Sequence, residues 1–458
     1  MSSVVVIADD LTGANATGSL LTRGGFGVAS CLSLEQWDEK QFAAFDVASI
    51  NAASRLLPEA EARKRIQRGV AMALPLRPKV ISKRIDTTLR GNLGGEIEAA
   101  LAALGAGLGR EVLALVVPAF PATGRIVVGG ILLVNGIPLE KTSIANDPVT
   151  PLTTSTVLSL IARQTNLHGE TLPLQTLLAG VEATRKAITA LWRGGCRMIV
   201  ADGATDEDIT TVAAAVQDAD FPLLAVDPGP FTAALAVVRL GVKRGSSDSK
   251  PRHCQKRAVA HPRILAVVGS AIELTQQQLA ALILAHTCHF VRAECTLLAN
   301  PATREAEIVR VASTVAVAPA QTKILGVCTA QRPEHVYNLR ELGAQYGLAQ
   351  HELSEVINGA LAEIALRLLQ GDGLRLGGIY ASGGEVTVTL TRKLQAAGLW
   401  VRDSVLPLAT YGSLIGGLYP DLPIITKGGF VGDVHGLTQC MEYMIAALAA
   451  QTAAHRQG

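Results

Sequence analysis

Charged and aromatic side chains are both scarce in this chain. Of its 458 residues only 17% are charged and 4% aromatic, and the formal net charge is +2. A near-neutral chain offers no basic field, which argues against a nucleic-acid partner or attachment to an anionic membrane. No apolar run reaches the roughly 18 residues a bilayer span needs. The N-terminus enters a strand-like run without a basic n-region, so no secretory leader is expected. Seven cysteines are scattered, odd in number and never in a CxxC pair. They fit buried thiols in a cytoplasmic protein better than a disulfide framework or a zinc site. HxH, HExxH, a nucleophile elbow, a Walker A loop at the glycine-rich turns and GxGxxG followed by a ribose-binding acid are also missing. These absences argue against zinc hydrolysis, serine hydrolysis and a Rossmann-type oxidoreductase.

What remains is rich in small and aliphatic residues, with 49% hydrophobic residues and 44 glycines. Apolar runs alternate with Ala/Leu-rich amphipathic segments. Strands are expected at 4–8, 26–31, 47–50, 80–82, 113–117, 198–201 and 223–226. Helices are expected at 15–22, 58–73, 95–104, 175–194 and 206–217. This rhythm predicts α/β architecture with a mostly parallel sheet and helices on both faces. Residues 243–253 are polar and aperiodic and read as a linker. The pattern then restarts with strands at 264–270, 322–327, 376–382 and 422–425 and helices at 275–285 and 351–369. Two α/β domains follow, residues 1–245 and 246–458, with an active site expected in the cleft between them.

The first strand runs straight into Asp9-Asp10-Leu11-Thr12-Gly13. Ligands of open α/β sheets lie at the carboxyl ends of strands. Two acids there can bind hydroxyls, help hold Mg²⁺ or accept a proton, and they equally suit a helix cap. Lys83-Arg84-Ile85-Asp86-Thr87-Thr88-Leu89-Arg90-Gly91-Asn92 follows another strand, on the same sheet edge. Its cations can bind a carboxylate, and Asp86 can bind a hydroxyl or act as a base. Arg55, after the strand at 47–50, is a further candidate carboxylate ligand. Pro118-Ala119-Phe120-Pro121-Ala122-Thr123-Gly124-Arg125 makes a stiff loop offering one more cation. In the second half, Ser382-Gly383-Gly384-Glu385, Gly428-Gly429 and Ser270 end three strands. Such turns present main-chain N–H groups to phosphates, and Glu385 can meet Mg²⁺ or ribose.

Taken in order, these segments resemble the four-carbon acid sugar kinase family. The opening is similar to its ADD(F/L)TGAN signature. Residues 83–92 are similar to KK(I/V)DSTLRGN, and 118–125 to PAFPxxGR. Residues 382–385 and 427–432 are similar to its C-terminal nucleotide loops. The resemblance implies an N-terminal sugar-acid domain and a C-terminal ATP domain of unusual α/β fold. It implies phosphoryl transfer from ATP to the C4 hydroxyl of a four-carbon sugar acid. Asn15-x-Thr17-Gly18 is most similar to the D-threonate kinase branch, with Ala16 where the NDTG form has Asp. Arg84 stands where the family has Lys. D-Erythronate and 3-oxo-tetronate are the alternative substrates, and a non-catalytic sugar-acid-binding protein is the alternative outside the class.

On this reading Asp9, Asp10, Arg55, Lys83, Asp86, Thr87, Thr88 and Arg90 bind the sugar acid, with Asp10 or Asp86 as the base. Ser270, Ser382, Gly383, Gly384, Glu385, Gly428 and Gly429 bind ATP, with Mg²⁺ as its companion ion. The partners are then small molecules, in a cytoplasmic protein for which a homodimer is the assembly to test.

Overall fold

A computed structural model describes residues 2–147, 151–242, 262–371 and 373–456. The polar segment at 243–253 lies outside them. The chain divides into two compact units, up to residue 251 and from residue 252. Each has a mostly parallel sheet flanked by helices.

The first unit is built on β1 (Val4–Ala8), β2 (Val28–Cys31), β3 (Val47–Asn51), β4 (Val80–Arg84) and β5 (Leu113–Val116). Next come β6 (Arg125–Val128), β7 (Ile131–Val134), β8 (Ile137–Pro138), β9 (Gly169–Leu172), β10 (Met198–Ala201) and β11 (Leu223–Asp227). The main sheet runs β2-β3-β1-β4-β11-β5-β10-β9, and its pairings are parallel. β6, β7 and β8 form a small antiparallel sheet. β1 and β4 lie side by side, but their onward connections lead to opposite sides, which makes a topological switch point. Ala8 is in register with Asn51 and with Arg84. Asp9, the turn after β3 and the turn after β4 therefore leave the sheet at one level.

β1, β5 and β10 are continuous apolar runs because both faces of the sheet are covered. β1 is buried at every residue. On one face lie α1 (Leu11–Arg23) and the helix Pro230–Leu240, whose Thr232 hydroxyl bonds Ser82 on β4 at 2.7 Å. On the other lie Glu59–Ala73 and Leu93–Leu108. Side-chain alternation along β4 thus sends Lys83 and Arg84 to opposite faces.

The second unit contains β12 (Arg263–Val268), β13 (Cys288–Arg292), β14 (Ile324–Cys328), β15 (Leu376–Ser382), β16 (Gly398–Leu406), β17 (Ala409–Ile415) and β18 (Pro423–Lys427). Their order is β13-β14-β12-β15-β18-β17-β16. The first five are parallel, while β17 runs antiparallel to β18 and β16. The neighbours β12, β15 and β18 lead into turns that carry Ser270, Gly383 and Gly428. Ile264, Val268, Tyr380, Ile425, Cys440 and Met444 are among the residues of one buried cluster beneath them.

Two expectations need correction. The helix expected at 175–194 is two helices, Leu174–Leu178 and Val181–Arg193, because Gly180 sits at φ +95° and breaks the helical path. The strand expected at 80–82 continues through Lys83 and Arg84, whose charges find partners in Glu96 on a covering helix and in Asp9 and Asp10 after β1. The β16–β17 hairpin had no clear signal, since β16 is only partly exposed along its second half and does not alternate cleanly.

Candidate active site

The turns after β1, β3 and β4 bring a dense set of charges together. Asp10 is both a cap and a member of this cluster. Its Oδ1 accepts from Gly13 N at 2.8 Å, closing the N-terminus of α1, while its Oδ2 accepts from Arg55 at 2.7 Å. Arg55 also donates to Asp9 at 2.7 Å and lies 3.6 Å from Asp86. Arg84 reaches Asp9 at 3.2 Å and Asp10 at 3.1 Å. A β-carbon at position 13 would collide with the Arg84 guanidinium, so Gly13 is what lets that side chain pass under the helix start.

Backbone bonds fix the supports. Asp9 O accepts from Ser54 N at 2.9 Å and Arg55 N at 3.3 Å, tying the β3 turn to the end of β1. Asn92 Nδ2 donates to Ser54 O at 3.2 Å and Leu57 O at 2.9 Å, tying the β4 turn to the same place. Ala53 and Leu89 both adopt positive φ, +49° and +60°, just before Arg55 and Arg90. Non-glycine residues hold such angles where surrounding bonds over-determine them, commonly at ligand sites.

Asp86 is buried. It accepts from Thr88 Oγ1 at 2.6 Å and from Arg90 Nε at 2.8 Å, and Arg90 lies 3.5 Å from Asp147. Thr87 beside it is also buried. Burial alone would raise the carboxyl pKa values. Against that, Arg55, Arg84 and Lys83 hold Asp9 down at about 2, and Arg55 and Arg90 hold Asp86 well below the usual range. Both are carboxylates at neutral pH, able to accept hydroxyl hydrogen bonds. Asp10 is the most open of the three, with 26% of its side chain exposed against 4% for Asp9 and 6% for Asp86.

Lys83 requires correction as a substrate ligand. Its side chain is fully buried, its Nζ lies 2.7 Å from Glu96 and donates to Arg84 O at 2.6 Å, and it points to the face opposite Arg84. Burial raises the Glu96 pKa despite the Lys83 ammonium. Lys83 and Glu96 form an internal ion pair supporting the sheet edge. Arg55 is likewise occupied, with its guanidinium shared among three carboxylates. The more open cations are Arg90, 27% exposed, and Arg125, whose Nη1 donates to Thr123 O and whose Nε has no partner. Burial lowers the Arg125 pKa, Asp86 draws it up and Arg90 pushes it down, so Arg125 shares this charge field. The stiff loop at 118–125 was the only sequence signal for it.

In the second unit the three strand-end turns converge. Gly429 packs so closely on Ser270 that a β-carbon there would collide with its hydroxyl. A β-carbon on Gly383 would lie 3.9 Å from Ser270 N. Gly383 has φ +111° and precedes the helix Gly384–Lys393, which has no side-chain cap. Its first N–H groups are free for an anion. Ser382 is buried at the end of β15. Glu385 is exposed and, among the described residues, meets only Asn358 Nδ2, at 3.4 Å. Among the described residues no cluster of three or more His, Cys, Asp or Glu side chains is arranged to hold a metal by itself. Sequence reasoning did not single out Lys427 or Gln278, both buried beneath the Gly428–Gly429 turn.

Comparison with known proteins matches this division. The sugar-binding N-terminal domain family matches residues 4–235, and the nucleotide-binding C-terminal domain family matches 265–437. The chain is 41% identical to a D-erythronate kinase of Heliobacterium modesticaldum over 99% of both chains. The chain belongs to the four-carbon acid sugar kinase family. Members of this family are ATP-dependent kinases, and the chain has both of their domains. It is 28% identical to a D-threonate kinase of Salmonella typhimurium, covering 96% of this chain and 98% of that one. A solved Salmonella typhimurium LT2 protein, described as a tRNA synthase, shares the fold. Its TM-score is 0.76 at 23% identity, over 95% of this chain and 98% of that one. Among the described residues no helix is long and apolar enough to cross a membrane.

Proposed function

We propose that this kinase transfers the γ-phosphoryl group of ATP to the terminal C4 hydroxyl of D-erythronate. The observation that carries the choice of substrate is the 41% identity to a D-erythronate kinase across 99% of both chains. D-Threonate is the second reading, resting on Asn15-x-Thr17-Gly18. Ala16, the departure within that segment, is only 2% exposed inside α1, so it lines no open surface.

The sugar acid sits over the ends of β1 and β4. Arg90 and Arg125 meet its carboxylate, and the fixed carboxylates accept from its hydroxyls. The C4 oxygen attacks the γ-phosphorus while the bond to the β–γ bridging oxygen breaks. The hydroxyl proton passes to Asp10 or Asp86, and ADP leaves. Asp10 is the more accessible acceptor. Alignment and charge neutralisation supply most of the acceleration in such transfers. ATP rests on the Ser270, Ser382–Gly384 and Gly428–Gly429 turns. Glu385, exposed and barely engaged, is the carboxylate that fits a share in holding Mg²⁺. When bound, the ion would neutralise charge on the phosphates.

A coupled ADP-release assay across D-erythronate, D-threonate, L-threonate and 3-oxo-tetronate tests the proposal. The highest kcat/KM is expected with D-erythronate. A D-threonate preference establishes the second reading, and no ADP release with any of the acids rules out both.

A further inference from the structure

The loop at 428–433 is held from beneath through its carbonyl oxygens. Lys427 Nζ donates to Gly428 O at 2.9 Å and Val431 O at 3.1 Å. Gln278 Nε2 donates to Val431 O at 3.0 Å and Asp433 O at 2.6 Å. Thr275 Oγ1 reaches Gly429 O at 3.4 Å and also bonds Ser270 Oγ at 3.0 Å. Lys427 is 2% exposed and Gln278 fully buried. No carboxylate pairs with the Lys427 ammonium among the described residues. The N–H groups of Gly429 and Phe430 find no acceptor there either. A loop whose carbonyls are drawn inward turns its amide hydrogens outward, the polarity an anion requires.

We infer that Lys427 is a positioning residue for nucleotide affinity, which with Gln278 clamps the loop carbonyls inward so that its amides face the phosphates of ATP. The inference rests on the reading of this loop as part of the ATP site. The buried ammonium adds positive potential under the loop that no acid cancels, which favours a polyanion above it. Burial draws the Lys427 pKa down to about 8, with Cys440 raising it slightly. The titratable groups facing it are Cys440 on the helix Gly436–Arg456 and Tyr380 and Tyr411 on the adjoining strands. Burial pushes all three upward, away from this range. Asp433 and His435, further along the loop, are exposed. The ammonium therefore loses its proton, and the clamp its charge, as pH rises through about 8.

The test measures steady-state kinetics and calorimetric ADP binding on the full chain and on Lys427→Met and Gln278→Leu. Lys427→Met is expected to raise the KM for ATP and the Kd for ADP about tenfold, leaving the KM for sugar acid unchanged. Gln278→Leu is expected to give a smaller rise, about threefold. In the unaltered enzyme the ADP Kd rises above about pH 8, and Lys427→Met removes that rise. Unaltered ADP affinity in a folded Lys427→Met overturns the inference. If that variant does not fold by circular dichroism, Gln278→Leu decides by the same readout. Failure of the unaltered chain to bind ADP overturns the reading of the site itself, which separates the two.

Discussion

The two candidate sites are made of opposite materials. Beneath the sugar-acid site, Asp9, Asp10 and Asp86 interlock with Arg55, Arg84 and Arg90 through side-chain bonds at 2.7–3.6 Å. The nucleotide site is glycine and backbone, with one buried cation below it. On the proposed function, the difference follows from the ligands. A sugar acid is distinguished by which hydroxyl points where, so its site needs donors and acceptors fixed in direction. A polyphosphate presents oxygen on every side, and main-chain amides bind it with no side chain at all. The first site should therefore be sensitive to charge, and the second to backbone shape.

The largest expected effect is on chemistry. Asp10→Asn or Asp86→Asn, whichever removes the base, should lower kcat by about 10²–10⁴. Single-turnover assays on both variants tell which, and near-normal turnover in both would break the charge-dominated account of the first site. Next is Arg55→Gln. Removing the guanidinium strands buried carboxylates, so urea unfolding should show a loss of about 3–5 kcal/mol. Lys83→Met should destabilise for the same reason by stranding Glu96, while Lys83→Met with Glu96→Leu should recover most of that loss. An unchanged sugar-acid KM in the double variant marks the pair as structural; a large rise would return Lys83 to the substrate.

On the other side of the comparison, Gly383→Ala must hold φ +111° with a β-carbon. It should lose about 1–3 kcal/mol of stability and raise the KM for ATP, not that for sugar acid. The smallest effect near neutrality is that of pH. Asp9 and Asp86 have folded pKa values below their unfolded ones, so their stabilisation is complete above about pH 4. It is lost as pH falls toward 2, the Asp9 value. Lys427 has a linkage of the same sign at the alkaline end. Its folded pKa of about 8 lies below the ordinary 10.5, so the unfolded chain binds the extra proton and stability rises with pH between those values. Acid and alkaline titrations followed by circular dichroism should show both slopes, and a flat alkaline limb would contradict the buried-lysine account.

Much of this was readable in local chemistry. β1 and β15 have the boundaries expected, because a strand covered on both faces reads as a mainly apolar run. The acidic pair, the basic segment and the glycine turns could be placed at strand ends from the apolar runs before them, and strand ends are where open α/β sheets take ligands. Lys83 was misread because a lysine after an apolar run looks like the start of a loop. Glu96, on a helix further along the chain, pairs with it and makes its burial tolerable. Lys427 drew no notice as a site residue for a related reason. Its partners are carbonyl oxygens, which every sequence possesses and none advertises.

By itself the amino-acid sequence determined the α/β alternation, the family and the residue types at each strand end, since these depend on periodicity and on short contiguous motifs. Tertiary structure alone decided which charges neutralise one another, which cation lies uncompensated beneath the nucleotide loop and which acid stays open. Burial and ion pairing are set by distances between residues far apart in the chain, and those distances exist only once the sheet and its helices have packed.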